Sequence, residues 1–466
     1  MALFLNSNLT SFLTRPYLFC QEKEIAESTF GLRAVNDGKF VGRLRAGKGI
    51  TLSTLKTIEK FFIDNKFEID KSLTQPQTTF DSAKSGHSAT NKTEPHFRFY
   101  DNRQKYLLFV NTCSEKWAVA NRVGQELSRL KIRSPALRVF DAGVGDGTVL
   151  SRVMRHMHKL HPNVPFYVVG KEISLEDVRL TLEKLPDRFN EHPASVVIIT
   201  NMLYSEAPKL FPRDKENQSQ LNWGEVALEG NSAHEFEEQI SSLDDRITYG
   251  WQVRTSQKTG NPVYVRPSVL VLYRKDQSLL MDNIIPRVGS AMTDYNLVIA
   301  SQPFRLRASL DLKIKKILAP LVRSLAPGGR LVAIQSHGSD PGAEIINRVW
   351  ADEGPFIHNR QILLEGLRKE IGLGSTGFNF GAGSDRNSLF RYVMHTLPSE
   401  IGASIGTSTL MAAWNAAVYV AQIEDKRLEM TMKSNGYLEH TAASLRKHNG
   451  LWFNDESFVV SRRGPP

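Results

Sequence analysis

The spacing of apolar residues changes several times along the chain, and each change marks an element. Between 22 and 65 the period is helical. Phe40, Val41 and Leu44 share one face, and Leu55, Ile58, Phe61 and Phe62 share the next. Asn36-Asp37-Gly38 and Gly47-Lys48-Gly49 read as turns, with Thr51 or Ser53 as a cap. From 66 to 93 Thr, Ser, Gln, Asn and Lys dominate around Pro76, which predicts a flexible linker. Clustered aromatics (Phe97, Phe99, Tyr100, Tyr106, Phe109) then lead into an amphipathic helix from Glu115 to Leu130. After it, short apolar runs alternate with helical patterns. The runs are 139–141, 166–173, 196–200, 296–300 and 331–335; the clearest helices lie after Gly147 and over 310–325. That alternation predicts an α/β chain with a doubly wound, mostly parallel sheet.

Two regions interrupt the alternation. Residues 205–290 form a long insertion, with strands expected at 247–254 and 262–274 around a turn at Lys258-Thr259-Gly260-Asn261. Insertions at the ligand edge of a sheet are often lids or substrate-reading elements. Beyond 340, helices are expected at 343–350 and 362–371, a mobile Gly-rich loop at 372–383, and a helical insertion at 407–430. Strands at 390–397 and 458–462 would form a final antiparallel pair. The domain reading is a small basic helical domain at 1–65, a linker at 66–93 and an α/β domain at 94–466 that carries the 205–290 insertion.

Composition narrows this little. The chain has 466 residues, 41% hydrophobic and 23% charged, which is ordinary for a globular protein. No apolar run is long enough to span a membrane. The first 21 residues lack acids and carry one arginine, Arg15, so neither a secretory signal nor a transit peptide is expected. Cys20 and Cys113 are the two cysteines, which suits a cytoplasmic protein. The net charge of +10 permits an anionic partner without requiring one. His156, His158 and His161 do not share a helical face, so no metal site is expected.

The chemistry-bearing stretch is Asp141-Ala142-Gly143-Val144-Gly145-Asp146-Gly147-Thr148. A strand ends in an acid, glycines follow at every second position, and a helix begins. Glycines let the chain turn and let a ligand reach the main chain. A dinucleotide site wants G-x-G-x-x-G, and Thr148 stands where its third small residue would be. The pattern present, D-x-G-x-G-x-G, resembles motif I of the class I S-adenosylmethionine (SAM) dependent methyltransferases. Ala326-Pro327-Gly328-Gly329 before the fifth strand is similar to the turn found there in that family.

The resemblance implies a seven-stranded Rossmann-like sheet, SAM as cofactor, and a set of site residues. Asp141, Ala142, Gly143, Gly145 and Gly147 would hold the methionine part. Glu172 would accept the ribose hydroxyls, Asn201 would meet the adenine amine, and Met202 would pack on the ring. Ser301-Gln302-Pro303-Phe304 would face the reactive methyl and position the acceptor. Ser301, Pro303 and Phe304 match the pattern of amine and nucleic-acid base methyltransferases, whereas Gln302 replaces its first proline. His337 is the one candidate base. Separately, Gly38–Gly49 followed by Thr54-Leu55 and Ile58 resembles the later part of a repressor-type helix-turn-helix domain. Residues 28–63 hold seven Lys/Arg against two Asp/Glu, so DNA contact through 28–63 is one expectation. Three functions follow: methyl transfer to an N or O acceptor on a small molecule or protein, methylation of a nucleic-acid base, or a non-catalytic SAM-binding regulator associated with DNA.

Overall fold

Strand Leu137–Asp141 (β1) is buried along its whole length, as its run of apolar residues requires. It lies at the centre of the sheet in a computed structural model of the chain. The structure describes residues 19–20, 23, 25–45 and scattered positions to 64. It then describes 103–464 apart from 133, 257–261, 352, 397, 403 and 434–435. The chain divides into two compact units, Met1–Lys92 and Thr93–Pro466.

In the first unit, helices Glu27–Val35 and Phe40–Arg45 are joined by the expected turn. Asn36 adopts a left-handed conformation there, with φ 53°. Gly31 is obligatory, because a Cβ would fall 2.3 Å from the Asp37 carbonyl oxygen. Phe19, Phe30, Phe40, Val41, Ile58 and Phe62 form the core of this unit. The caps expected at Thr51 or Ser53, the aromatics at 97–100 and the linker lie outside the described residues.

In the second unit, β2 (Phe166–Lys171), β3 (Ser195–Thr200), β8 (Tyr295–Ser301) and β9 (Leu325–Ser336) join β1 in parallel, in the order β3-β2-β1-β8-β9. Strand β12 (Trp452–Arg462) runs antiparallel to β9. Strands β10 (Phe378–Gly381) and β11 (Leu389–Val393) pair with it. Alternate residues serve opposite faces: Tyr167 and Val169 enter one apolar core, Phe166 and Val168 the other. This is an α/β, Rossmann-like, mostly parallel doubly wound sheet, with the expected final antiparallel strands.

The sheet departs from seven strands. Ten are present among the described residues. The 205–290 insertion adds β7 (Ser268–Arg274), antiparallel to β3, and β4 (Asn222–Leu228), parallel to β7 at the edge. The polar, half-exposed pattern of β4 hid it from the sequence. Residues Asp244–Gly250 are helical rather than extended, and β5 (Val253–Thr255) and β6 (Pro262–Tyr264) form only a small hairpin. The stretch expected as a mobile loop holds a helical turn, Gly372–Gly377, and then β10. The carboxy-terminal helical insertion is longer than expected, with helices Thr407–Val420, Asp425–Thr431 and Gly436–His448. At the Pro-Gly-Gly turn the β8–β9 pairing shifts register. Gly329 is needed there, since a Cβ would lie 2.4 Å from the Tyr295 carbonyl oxygen.

The far end of the sheet from the site carries a histidine pair, of which His192 is buried. His192 stacks on Phe166 at 3.7 Å, and its Nδ1 lies 3.0 Å from Nδ1 of His158. Its Nε2 is 3.0 Å from the Val164 carbonyl oxygen, and burial pulls its pKa down to about 4. The folded state therefore resists a proton that the unfolded chain accepts near pH 6.5. Stability is fully present above that pH and falls as pH drops toward 4, by about 2–3 kcal/mol from this group. Chemical denaturation at pH 7 and 4.5 checks this: His192→Gln should flatten the loss, and an unchanged loss would refute the assignment.

Candidate functional site

The loop after β1 is stitched between two neighbouring strand ends. Ala142 donates to the Ile299 carbonyl of β8, and Val144 donates to the Lys171 carbonyl of β2. Gly145 (φ 56°) and Gly147 (φ 77°) are left-handed, where side chains are strained. A Cβ at Gly147 would sit 2.8 Å from Cα of Thr181, whereas one at Gly143 would meet nothing within 4 Å. The main chain at Gly143 is thus open to close approach by a ligand. Helix Thr148–Leu160 starts directly after, its first turn capped by Asp146, which accepts from the amide and hydroxyl of Thr148.

Glu172 follows β2 and locks the loop to it. Its Oε2 accepts from the Gly145 amide at 2.9 Å, and its Oε1 accepts from Ile173 and Ser174 at 2.8 and 2.9 Å. Asp141, almost fully buried, accepts from the Gly143 amide at 3.2 Å. Burial raises its pKa to about 7, with the neighbouring Glu172 adding to the rise.

These groups border a cavity of about 350 Å³ at the carboxyl edge of the sheet. Ala142, Gly143, Gly145, Glu172 and all of Ser301-Gln302-Pro303-Phe304 line it, so the structure brings most of the expected site together. Asp141 and Gly147 do not line it, and Gly147 packs on Thr181. Gln302 takes a left-handed φ of 47°. Its side chain turns away to Ser336, donating to Oγ at 3.1 Å and accepting from the amide at 3.3 Å. The same amide group lies 3.5 Å from both oxygens of Asp455. Burial beside Glu115 and Asp340 holds that carboxyl well above the usual range.

Three expected positions fall elsewhere. Asn201 is spent on the insertion: it donates to the Gly250 and Arg266 carbonyls and accepts from the Ser268 amide, all within 3.0 Å. It holds β7 against the end of β3 and does not line the cavity. Met202 is fully buried in the core. His337 lines a separate cavity on the other side of β9, 3.6 Å from Glu456. The insertion also supports Glu172, through Trp251 Nε1 donating to its carbonyl oxygen at 2.8 Å.

Several wall residues escaped the sequence because they arrive from distant segments. Helices Arg103–Thr112 and Glu115–Leu127 bring Tyr106 and Lys116 over the loop. The Tyr106 hydroxyl lies 3.3 Å from both the amide and Oδ1 of Asp146. Although burial opposes the charge on Lys116, Glu115, Tyr106 and Asp146 hold its pKa well above the usual range. The carboxy-terminal insertion roofs the cavity, to which 205–290 adds Pro262. Tyr419, Val420 and Gln422 line the cavity, and Gln422 accepts from the Leu306 amide at 2.9 Å. Arg307 donates to the Ala421 and Gln422 carbonyls, pinning this roof to the loop after β8.

No protein-family model matches the chain, and no curated protein matches it. Among solved structures, it is similar to a geranyl diphosphate methyltransferase in complex with SAM. That likeness has 12% identity and a TM-score of 0.27, covering 74% of this chain and 85% of that one. PKMT2 from Rickettsia typhi in complex with AdoHcy matches at 10% identity and TM-score 0.26, over 75% of this chain and 54% of that chain. MNMC2 from Aquifex aeolicus matches at 11% identity and TM-score 0.19, over 93% and 99%. The strand order and register, rather than these distant likenesses, carry the fold.

The two glycines should separate experimentally. Gly147→Ala combines a left-handed φ with a clash at Thr181 and should cost about 1–3 kcal/mol of stability. Gly143→Ala should leave stability within about 0.5 kcal/mol, because its Cβ meets empty space. Urea denaturation checks both; equal losses would contradict the geometry.

Proposed function

We propose that the second unit is a SAM-dependent methyltransferase. The observation that carries this is the meeting, on one cavity, of the open main chain at Gly143, the Glu172 carboxylate and the Ser301–Phe304 segment. Gly143 and Gly145 would pass along the methionine part. Lys116 would supply a cation for its carboxylate, and Asp141, with its pKa near 7, would become a counter-charge as the ammonium approaches. A carboxylate offers about four lone-pair sites. Glu172 spends three on backbone amides, leaving one for a ribose hydroxyl.

Bound SAM would supply an activated methyl group. The task left to the chain is alignment, which alone can lower a barrier by about 7–11 kcal/mol when the geometry is near attack. Ser301 and the Gln302 main chain would hold an N or O nucleophile opposite the sulfur. Phe304 is only 5% exposed, and Lys313 lies 4.9 Å over its ring. That leaves little aromatic face for a flipped nucleic-acid base, and Gln302 breaks the base-methyltransferase pattern. A small-molecule or protein acceptor is therefore the favoured reading.

DNA association through residues 28–63 rests on the basic excess of that stretch and on the tight turn between its two described helices. If phosphates are held there, binding of a DNA duplex by the whole chain should fall by about 10³-fold or more between 50 and 200 mM salt. Weak, salt-independent binding would remove the idea.

Titration calorimetry with SAM tests the main reading. Wild type should bind, and Glu172→Ala should bind at least about tenfold more weakly, the loss of roughly one charge-assisted hydrogen bond. Equal affinities would refute the ribose assignment.

A further inference from the structure

Lys171, the last residue of β2, has no role in the site as described so far. It is partly buried on the cavity wall beside Glu172, and its ammonium makes no hydrogen bond or ion pair among the described residues. Its one neighbour of note is the ring of Tyr204, 4.7 Å from Nζ. Tyr204 in turn donates its hydroxyl to the Pro303 carbonyl oxygen at 3.0 Å. Lys171 thus stands beside the segment that would hold the acceptor. Side-chain direction agrees. Along β2, Tyr167 and Val169 enter the same apolar core as Phe304 and Ile317, and Lys171 continues that face. Glu172 points the other way, into the glycine loop, with both oxygens already on backbone amides.

A lysine that is partly desolvated and unpaired is an unfavourable place for a fixed positive charge. We propose that Lys171 is the general base of the transfer, and that the acceptor is therefore a nucleophile that must shed a proton: a protonatable amine or a hydroxyl. This rests on the SAM reading of the cavity. In the step, the acceptor lone pair attacks the methyl carbon and the new N–C or O–C bond forms. The C–S bond breaks, and its electron pair stays on sulfur. The proton from the acceptor N–H or O–H passes to Nζ of Lys171, which later loses it to solvent through the cavity mouth.

Charge balance favours this role. Desolvation lowers the Lys171 pKa, with Glu172 alone opposing it. Lys116 and Arg305 line the same cavity, as do Glu115 and Asp177, and Tyr204 is the titratable group in contact. A bound sulfonium adds a positive charge to that space and shifts the pKa further in the same direction, favouring the neutral amine. Methyl transfer removes the sulfonium charge as the acceptor proton is released, so Lys171 becomes more basic when it must take that proton.

The test measures each lysine of the intact protein by trace acetylation with acetic anhydride across pH, read by mass spectrometry. It is done alone, with SAM and with S-adenosylhomocysteine, with calorimetry on the same samples. The expected result is a Lys171 midpoint below that of an ordinary lysine, lower with SAM than with S-adenosylhomocysteine. If SAM does not bind, the cofactor reading fails. If SAM binds but the Lys171 midpoint is ordinary, or equal with both ligands, the base assignment is overturned. A second readout is methyl transfer from labelled SAM into cell extract. Lys171→Met and Lys171→Arg should each lose about 100-fold or more while SAM affinity stays within about threefold. Rescue by Lys171→Arg would overturn the proposal, because a guanidinium anchors an anion but accepts no proton at working pH.

Discussion

The hydrogen bond from the Gly145 amide to Glu172 ties the first strand–helix turn to the end of the second strand, and the cavity is arranged around it. The bond needs a left-handed residue at 145 and a carboxylate at 172, and neighbouring positions depend on both. Val144 is placed by its amide bond to Lys171, and the loop then passes beneath Tyr106. Gly170 lets Val144 settle against the strand, since a Cβ there would fall 2.5 Å from Val144 Cγ2. The loop is therefore preformed by the chain itself, which limits the ordering that a ligand would have to impose.

The two long insertions divide the work differently from what their positions suggest. The one at 205–290 stands near the ligand edge but mostly extends the sheet, covering β3 with β7 and β4. Its direct contribution to the cavity lining is Pro262, and Trp251 supports Glu172 by donating to its carbonyl oxygen. The carboxy-terminal insertion roofs the cavity, with Tyr419, Val420 and Gln422 in its lining. Arg307 joins it to the loop after β8.

What was legible in the sequence was what is local. The glycine loop, Glu172 and the order of the parallel strands are each encoded by residues adjacent in the chain, and apolar runs buried on both faces read clearly as strands. Asn201 was misjudged because an inserted strand, unseen in the sequence, lies alongside β3 and takes its amide. Strand β4 was missed because it is half exposed and has no apolar alternation. Lys116, Tyr106, Tyr392 and Tyr419 reach the cavity from segments hundreds of residues apart, and no spacing rule connects them. Gln302, a departure from the family pattern, makes sense only beside Ser336 and Asp455, which the antiparallel pairing of β12 brings to it.

The central claim is that this cavity turns over SAM rather than merely holding it. The most direct measurement is S-adenosylhomocysteine formed when the full chain is incubated with methyl-labelled SAM and fractionated cell extract. The account predicts S-adenosylhomocysteine in step with label appearing on one fraction, as an N- or O-methyl group. Tight SAM binding with no product and no label in any fraction would contradict it, and would leave a SAM-binding protein without transferase chemistry.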